Sequence, residues 1–580
     1  SDESSSSSSS SVKQRTRPLP RPFTQARRRR ILVNMGEVKL ELGVSEPLFV
    51  TVAVHDKRRG QRISEEFGLF GHWDTANAML NAQSDVSPDP RVRCRQGLFS
   101  FDAEYQAARD LVLIVRVTKL LNNEFEKDIA PYLTKKGKSA IAGQLSSELA
   151  TLARNTQAYK FRQPFCWGVR PVFLPNEAVD ERPVRMDLFA SRVGALNDAA
   201  IYDLLDNLPR LRKERPLPGH IVTEVFDVSS KWLKIKGMLT PSLELAGQAA
   251  KEGQIVRQML EFGVVDSPTL AYQSLLYMYP EAVTPSGVKV KELNVQIRAT
   301  YERDPDDIES PLKFFPKHDM QLRSTEDVTL VQRKDKRPQL TDELKMCLPA
   351  VLSQRSLIRF SFYHVDLSNK QYKLVPFAVA AMPLFRDGRL LPDGDHILTM
   401  STQWTGQDAE VREQSGELRK MQFQLRTRVA STVHSSDDHF NAFFRDSVRN
   451  IGAITRIAPE TVAQLFTALT ARLMLVMCSK EALQQPALGH QAFVALQHVL
   501  KTVSQRDETT NDKESSDVQH STLDVWLHYT FDNPRGVPGQ PYEELTRHWL
   551  RSRQAGHVRD HQLNEVLFGI IVKSMTLKVA

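Results

Sequence analysis

Two kinds of charged cluster in the middle of this 580-residue chain have residue types that hold ions. Arg333, Lys334, Lys336 and Arg337 follow the short apolar run Val328–Val331 and are interrupted only by Asp335. Lys313 and Lys317 precede that run, and Lys370 and Lys373 follow the apolar run Ser356–Val365. Guanidinium and ammonium groups converging from neighbouring loops frame a pocket for multiply charged phosphates. The alternative for the same residues is a solvated loop. The acidic cluster is Glu302, Asp304, Asp306, Asp307 and Glu309, with Asp393 and Asp395 further on. Calcium needs six to eight oxygens, which carboxylates on adjoining loops can supply. His434, Asp437, Asp438 and His439 are also of metal-ligand type.

Catalytic signatures are missing. There is no Gly-x-x-x-x-Gly-Lys phosphate loop, no Gly-x-Ser-x-Gly, no His-Glu-x-x-His, and no Rossmann glycine run in context. His364 lies within an apolar run, where a hydrogen-bonded core histidine is the expectation rather than a catalytic base.

The elements that would position these groups are strands. Ser356–Val365 has no Gly or Pro and is rich in aromatic and branched residues, as an interior strand requires. Around it, Ala271–Pro280 is aromatic and apolar, Leu293, Val295, Ile297 and Ala299 alternate with polar residues, and Leu374–Leu384 is almost wholly apolar. Met421, Phe423 and Leu425 alternate again. About seven strands with turns between them predict an antiparallel β-sandwich.

The formal net charge of +8 suggests nucleic acid until it is divided along the chain. Residues 1–30 hold eight Lys/Arg against Asp2 and Glu3, whereas residues 271–440 hold 23 basic and 23 acidic residues. A globally basic fold is thereby excluded, and no nucleic-acid partner is expected. Cys94, Cys166, Cys347 and Cys478 are scattered, with no CxxC, and are expected as free thiols in a reducing compartment. No apolar run reaches the length of a membrane span, and no secretory signal opens the sequence. These features predict a cytoplasmic protein.

Several blocks then stand in one order: Leu276-Tyr277-Met278-Tyr279-Pro280, Asp342-Glu343-Leu344-Lys345 with Leu348-Pro349, and Phe360-Ser361-Phe362-Tyr363-His364-Val365. Met382-Pro383-Leu384, Gly388-Arg389-Leu390, Ser431-Thr432-Val433-His434 and Phe443-Phe444 follow. This succession resembles the C2-type DOCK homology region 1 of the DOCK family of Rho-GTPase exchange factors. Glu46-Pro47-Leu48-Phe49, Ile63-Ser64-Glu65-Glu66-Phe67 and Pro164-Phe165-Cys166-Trp167 resemble the segment ahead of that domain in zizimin-like and closely related subfamilies. Leu563 through Lys573-Ser574-Met575 resembles the helix with which the family opens a helical-repeat scaffold. His434 and its neighbours match the family's strand-end turn, and lipid contact in the family is calcium-independent, so neither metal nor cofactor is expected.

The resemblance implies the regulatory, membrane-targeting part of an exchange factor, cytoplasmic and recruited to anionic phospholipid membranes. Its partner is a Rho-family small GTPase, met through an exchange domain that this sequence does not match, and the full-length protein is a candidate homodimer. The alternative is a lipid-binding scaffold without exchange activity. The expected fold is a C2-type β-sandwich preceded by a β-rich module and followed by α-helical, armadillo-like repeats. The expected boundaries are a Ser/Arg-rich tail at 1–35, the β-rich module at 36–175, a linker with short helices at 176–265, the C2-type domain at 266–444, and helices at 445–580. The last helix has no cap, Gly or Pro before Ala580, which reads as a fragment.

Overall fold

The structure, a computed structural model, describes residues 28–579 except 81–87, 103–110, 123–124, 135–136, 154–156, 175–177, 192–196, 212, 230–237, 240–254, 261–272, 285–292, 303–308, 334–337, 368–370, 387–388, 392, 402–420, 511–521 and 555–560. The described chain forms two compact units: residues 27–265 with 271–441, and the helical residues 442–580.

The β-rich unit opens with a sheet whose spine is the antiparallel set Gln96–Asp102, Arg28–Leu40, Pro216–Asp227, Val184–Ala190, Arg162–Pro171, Leu111–Leu120 and Leu48–Asp56. Leu111–Leu120 is buried along almost its whole length, although Arg116, Thr118 and Lys119 interrupt its apolar residues. Two expectations are corrected here. The tail ends before residue 35: Arg28–Leu40 is a strand, and Arg29 is held by Asp227 at 3.2 Å with its guanidinium over Phe173. The stretch 176–265 is not a linker, because Val184–Ala190 and Pro216–Asp227 are interior strands of the sheet. Leu217, Ile221 and Val225 are buried on one face of the latter strand, and Pro216 sits at its first residue, where no ladder donor is lost. Gly219 is required there, since a Cβ would stand 2.5 Å from the Lys39 carbonyl oxygen. Within the same stretch, where short helices are expected, Asp198–Asp206 is a helix, with the Asn197 side chain accepting from the Ala200 N–H at 2.8 Å.

Residues 273–431 form the expected sandwich. One sheet runs Leu344–Cys347, Ser274–Thr284, Gln422–Ser431, Gly394–Thr399. The other runs Glu326–Val328, Asn294–Glu302, Leu357–Asp366, Lys373–Pro383, with Gln332–Arg333 also on Asn294–Glu302. Phe360 and Phe362 from one sheet meet Phe423 from the other edge to face, with centroids 5.1 and 5.2 Å apart. The sandwich does not close on itself. Met320, Leu322, Val331, Val365 and Tyr372 belong to the apolar core of the first sheet.

The helical unit contains Phe466–Met477, Pro486–Thr510, Pro541–Gln554 and His561–Val579, with shorter helices between. Pro486–Thr510 runs up to the polar stretch 511–521, which lies outside the described residues. No helix among the described residues is long and apolar enough to cross a membrane.

Candidate functional site

The strand register decides which basic residues meet. Asn294 pairs with Arg333, its neighbour Val295 pairs with His364, and Asp366 pairs with Lys373. Arg333, Asp366 and Lys373 therefore lie at the same end of the five-stranded sheet. Lys373 is exposed there, beside exposed Val375 and Pro376. Lys334, Lys336, Arg337 and Lys370 lie outside the described residues.

The other three candidates are spent on carboxylates, which corrects the eight-residue pocket. Arg333 is 3.2 Å from Asp128 of the first module. Lys313 is buried against Glu309, whose other oxygen accepts from the Ala350 N–H at 2.8 Å. Lys317 is 3.1 Å from Glu66 and 3.8 Å from Glu343. A cation already desolvated and paired has little left to give an incoming phosphate.

Several of the remaining groups with metal or catalytic residue types also have structural partners, whereas Asp304, Asp306 and Asp307 lie outside the described residues. His434 Nε2 bonds to the Pro349 carbonyl at 2.7 Å, and burial holds its pKa below the ordinary value. Asp437 accepts from the His439 and Phe440 N–H groups, and Asp438 pairs with Arg389 at 2.6 Å. Glu302 pairs with Arg359 at 2.9 Å. His364 is half-buried and accepts from the Asn294 N–H at 3.0 Å. Among the described residues, no three His, Cys, Asp or Glu come together as metal ligands.

Sequence reasoning missed the densest polar cluster, which lies between the first sheet and the sandwich. Glu65 accepts from Tyr277 OH at 2.7 Å, from Lys345 Nζ at 2.9 Å and from the Leu260 N–H at 2.9 Å. Glu66 binds Arg62 at 2.7 Å as well as Lys317, and these cations hold its carboxyl below the usual range against the cost of burial. Tyr279 OH donates to Glu343 at 3.1 Å. Two small cavities of about 40 Å³ each lie along this seam. The second is walled by Arg116, Arg162, Lys317 and His318 with Glu66, Asp327, Asp342 and Glu343. His318 is kept neutral by burial beside Arg162, and it bonds the Val50 carbonyl at 2.9 Å. A signal was present in the sequence: Glu65-Glu66 and Asp342-Glu343 both stand in blocks that carry the family resemblance.

The likeness to known proteins follows the same layout. Residues 269–439 match the family model described as "C2 domain in Dock180 and Zizimin proteins". Dedicator of cytokinesis protein 6 of Mus musculus is 23% identical over 90% of this chain and 29% of its own length. Dedicator of cytokinesis protein 9 of Mus musculus is 23% identical over 74% of the chain and 23% of its own length. The human dedicator of cytokinesis protein 7 is 21% identical over 88% of the chain and 28% of its own length. The chain thus spans under a third of the relatives it matches. A solved C2 domain of plant Extended Synaptotagmin 1 aligns over 28% of the chain and 97% of its own, at 8% identity and a TM-score of 0.19, too slight a likeness to carry an argument. Residues 269–439 carry the C2 domain of Dock180 and Zizimin proteins, and the relatives matched over most of the chain are dedicator of cytokinesis (DOCK) proteins.

Proposed function

We propose that this chain is the regulatory and membrane-targeting part of a DOCK-like exchange factor, and that its C2 domain binds anionic phospholipid headgroups. Exchange of GDP for GTP on a Rho-family GTPase is then the work of another region of the longer protein, and residues 445–580 begin its armadillo-like scaffold. The single observation behind this reading is the C2 match, which spans the sandwich. With Arg333, Lys313 and Lys317 removed by their ion pairs, the headgroup contact falls to Lys334, Lys336, Arg337 and Lys370 with Lys373.

The test is co-sedimentation with phosphoinositide-containing liposomes. Each basic side chain near an anionic surface contributes about 1 kcal/mol, so K334A/K336A/R337A weakens binding on the order of 10²-fold. Equal binding by wild type and triple variant refutes this placement. Binding lost on adding chelator instead assigns the contact to the acidic loops and calcium. The chain by itself leaves nucleotide release from Rho-family GTPases unaccelerated, which a fluorescent-nucleotide release assay checks.

A further inference from the structure

The seam holds two carboxyls, Asp327 and Asp342, that wall one cavity together with Arg162 and Lys317. Asp327 is 6% exposed and accepts from the Val328 N–H at 2.8 Å. Asp342 Oδ1 accepts from the Leu330 N–H at 3.0 Å, while its Oδ2 is sealed from solvent with no partner. Both wall the second cavity. Arg162 reaches it from the first sheet, with its Nε also sealed and unpartnered and its Nη1 2.5 Å from His318. The other charges around the cavity are paired off. Arg116, from the same sheet, binds Asp198 at 2.5 Å. Glu66, from the loop before Phe67, and Glu343, from the sandwich, share Lys317 and Arg62. With His318 neutral, Asp327 and Asp342 are answered by Arg162 and by Lys317, which already serves Glu66 and Glu343. One proton on the pair restores the balance.

We propose that this pair makes the joint between the first module and the C2 sandwich pH-responsive: protonated, the joint is closed, and losing the proton loosens it. The pair is a regulatory contact built into the fold, separate from the lipid-binding loops. Burial, helped by the charge of Asp342, pushes Asp327 up to about 7, and burial, helped by the charge of Glu66, pushes Asp342 to about 6. Carboxyls raised in the closed joint favour it at low pH and oppose it as pH rises through the raised values. His318 works the other way, because its pKa is lowered in the closed joint and it gains a proton on opening near pH 6.

A comparison between wild type and D327N separates the two effects. Hydrogen exchange of the amides between Lys317 and Leu330 in the full chain reads the opening equilibrium. The ratio of wild-type to D327N opening rises about tenfold between pH 6 and pH 8, as linkage to one proton with a midpoint near 7 requires. D342N removes the like charge and moves the wild-type midpoint below 7, which keeps the test informative should D327N fail to fold. A ratio independent of pH, or a D342N midpoint unchanged from wild type, overturns the proposal.

Discussion

Replacing Glu65 by Ala tests whether the seam is a fixed joint. The carboxylate accepts three hydrogen bonds: from Tyr277 OH at 2.7 Å, Lys345 Nζ at 2.9 Å and the Leu260 N–H at 2.9 Å. Tyr277 is fully buried, so its hydroxyl loses this carboxylate acceptor in E65A. Lys345 is little exposed, though its ammonium still lies over the Phe315 and Tyr277 rings at 5.3 and 5.6 Å. Removing one partner of a buried pair costs about 3–5 kcal/mol. Y277F removes one bond and strands nothing charged, so it costs about 1–2 kcal/mol. The two groups touch, hence their effects do not add: in the E65A background Y277F costs close to nothing. Native-state hydrogen exchange of Ser274–Thr284 measures each opening free energy. Strict additivity, or a cost below about 1 kcal/mol for E65A, refutes the joint.

Other parts of the unit give two shorter tests. In G68A the new Cβ would stand 2.5 Å from the Lys317 Cβ and 3.0 Å from its carbonyl oxygen; the clash involves backbone, so thermal unfolding shows a loss of about 1–3 kcal/mol. All four cysteines are free thiols, and burial pushes Cys94 up and Cys478 to about 12. At pH 8 a thiol-specific disulfide reagent then reacts readily only with half-buried Cys347 in the native chain, and with all four after unfolding.

The sandwich was legible because its core follows the two-residue period: Phe360 and Phe362 point inward from one strand, and Met421, Phe423 and Leu425 from another. The strands at 184–190 and 216–227 were not. Arg185 and Asp187 interrupt the first, and Pro216 and Pro218 imitate a connector, so neither has the composition of an interior strand. The basic site failed differently. Charge density is visible along a sequence, but the partner that cancels a charge is not: Lys317 meets Glu66 and Arg333 meets Asp128 only after the first sheet and the sandwich have packed. The Ser/Arg-rich tail was drawn too long for the same reason, since Arg29 finds its carboxylate at Asp227, far along the sequence.

The shared core also couples the proposed lipid contact to the first module. Tyr372 closes the hairpin that precedes Lys373, and its ring stacks on Phe161 with centroids 4.4 Å apart. Its hydroxyl donates to the Leu121 carbonyl at 2.7 Å. The position of Tyr372, next to Lys373, is therefore set from outside the C2 domain, by residues of the first module. Y372F keeps the stack and loses one hydrogen bond, about 1 kcal/mol of stability, and leaves liposome binding unchanged. Y372A empties a buried aromatic site and costs about 3–5 kcal/mol. It also releases the hairpin, so a few-fold of liposome affinity goes with it although no cation has been touched. Binding by Y372A equal to that of Y372F, measured on folded protein, would show that the hairpin holds its place without the first module.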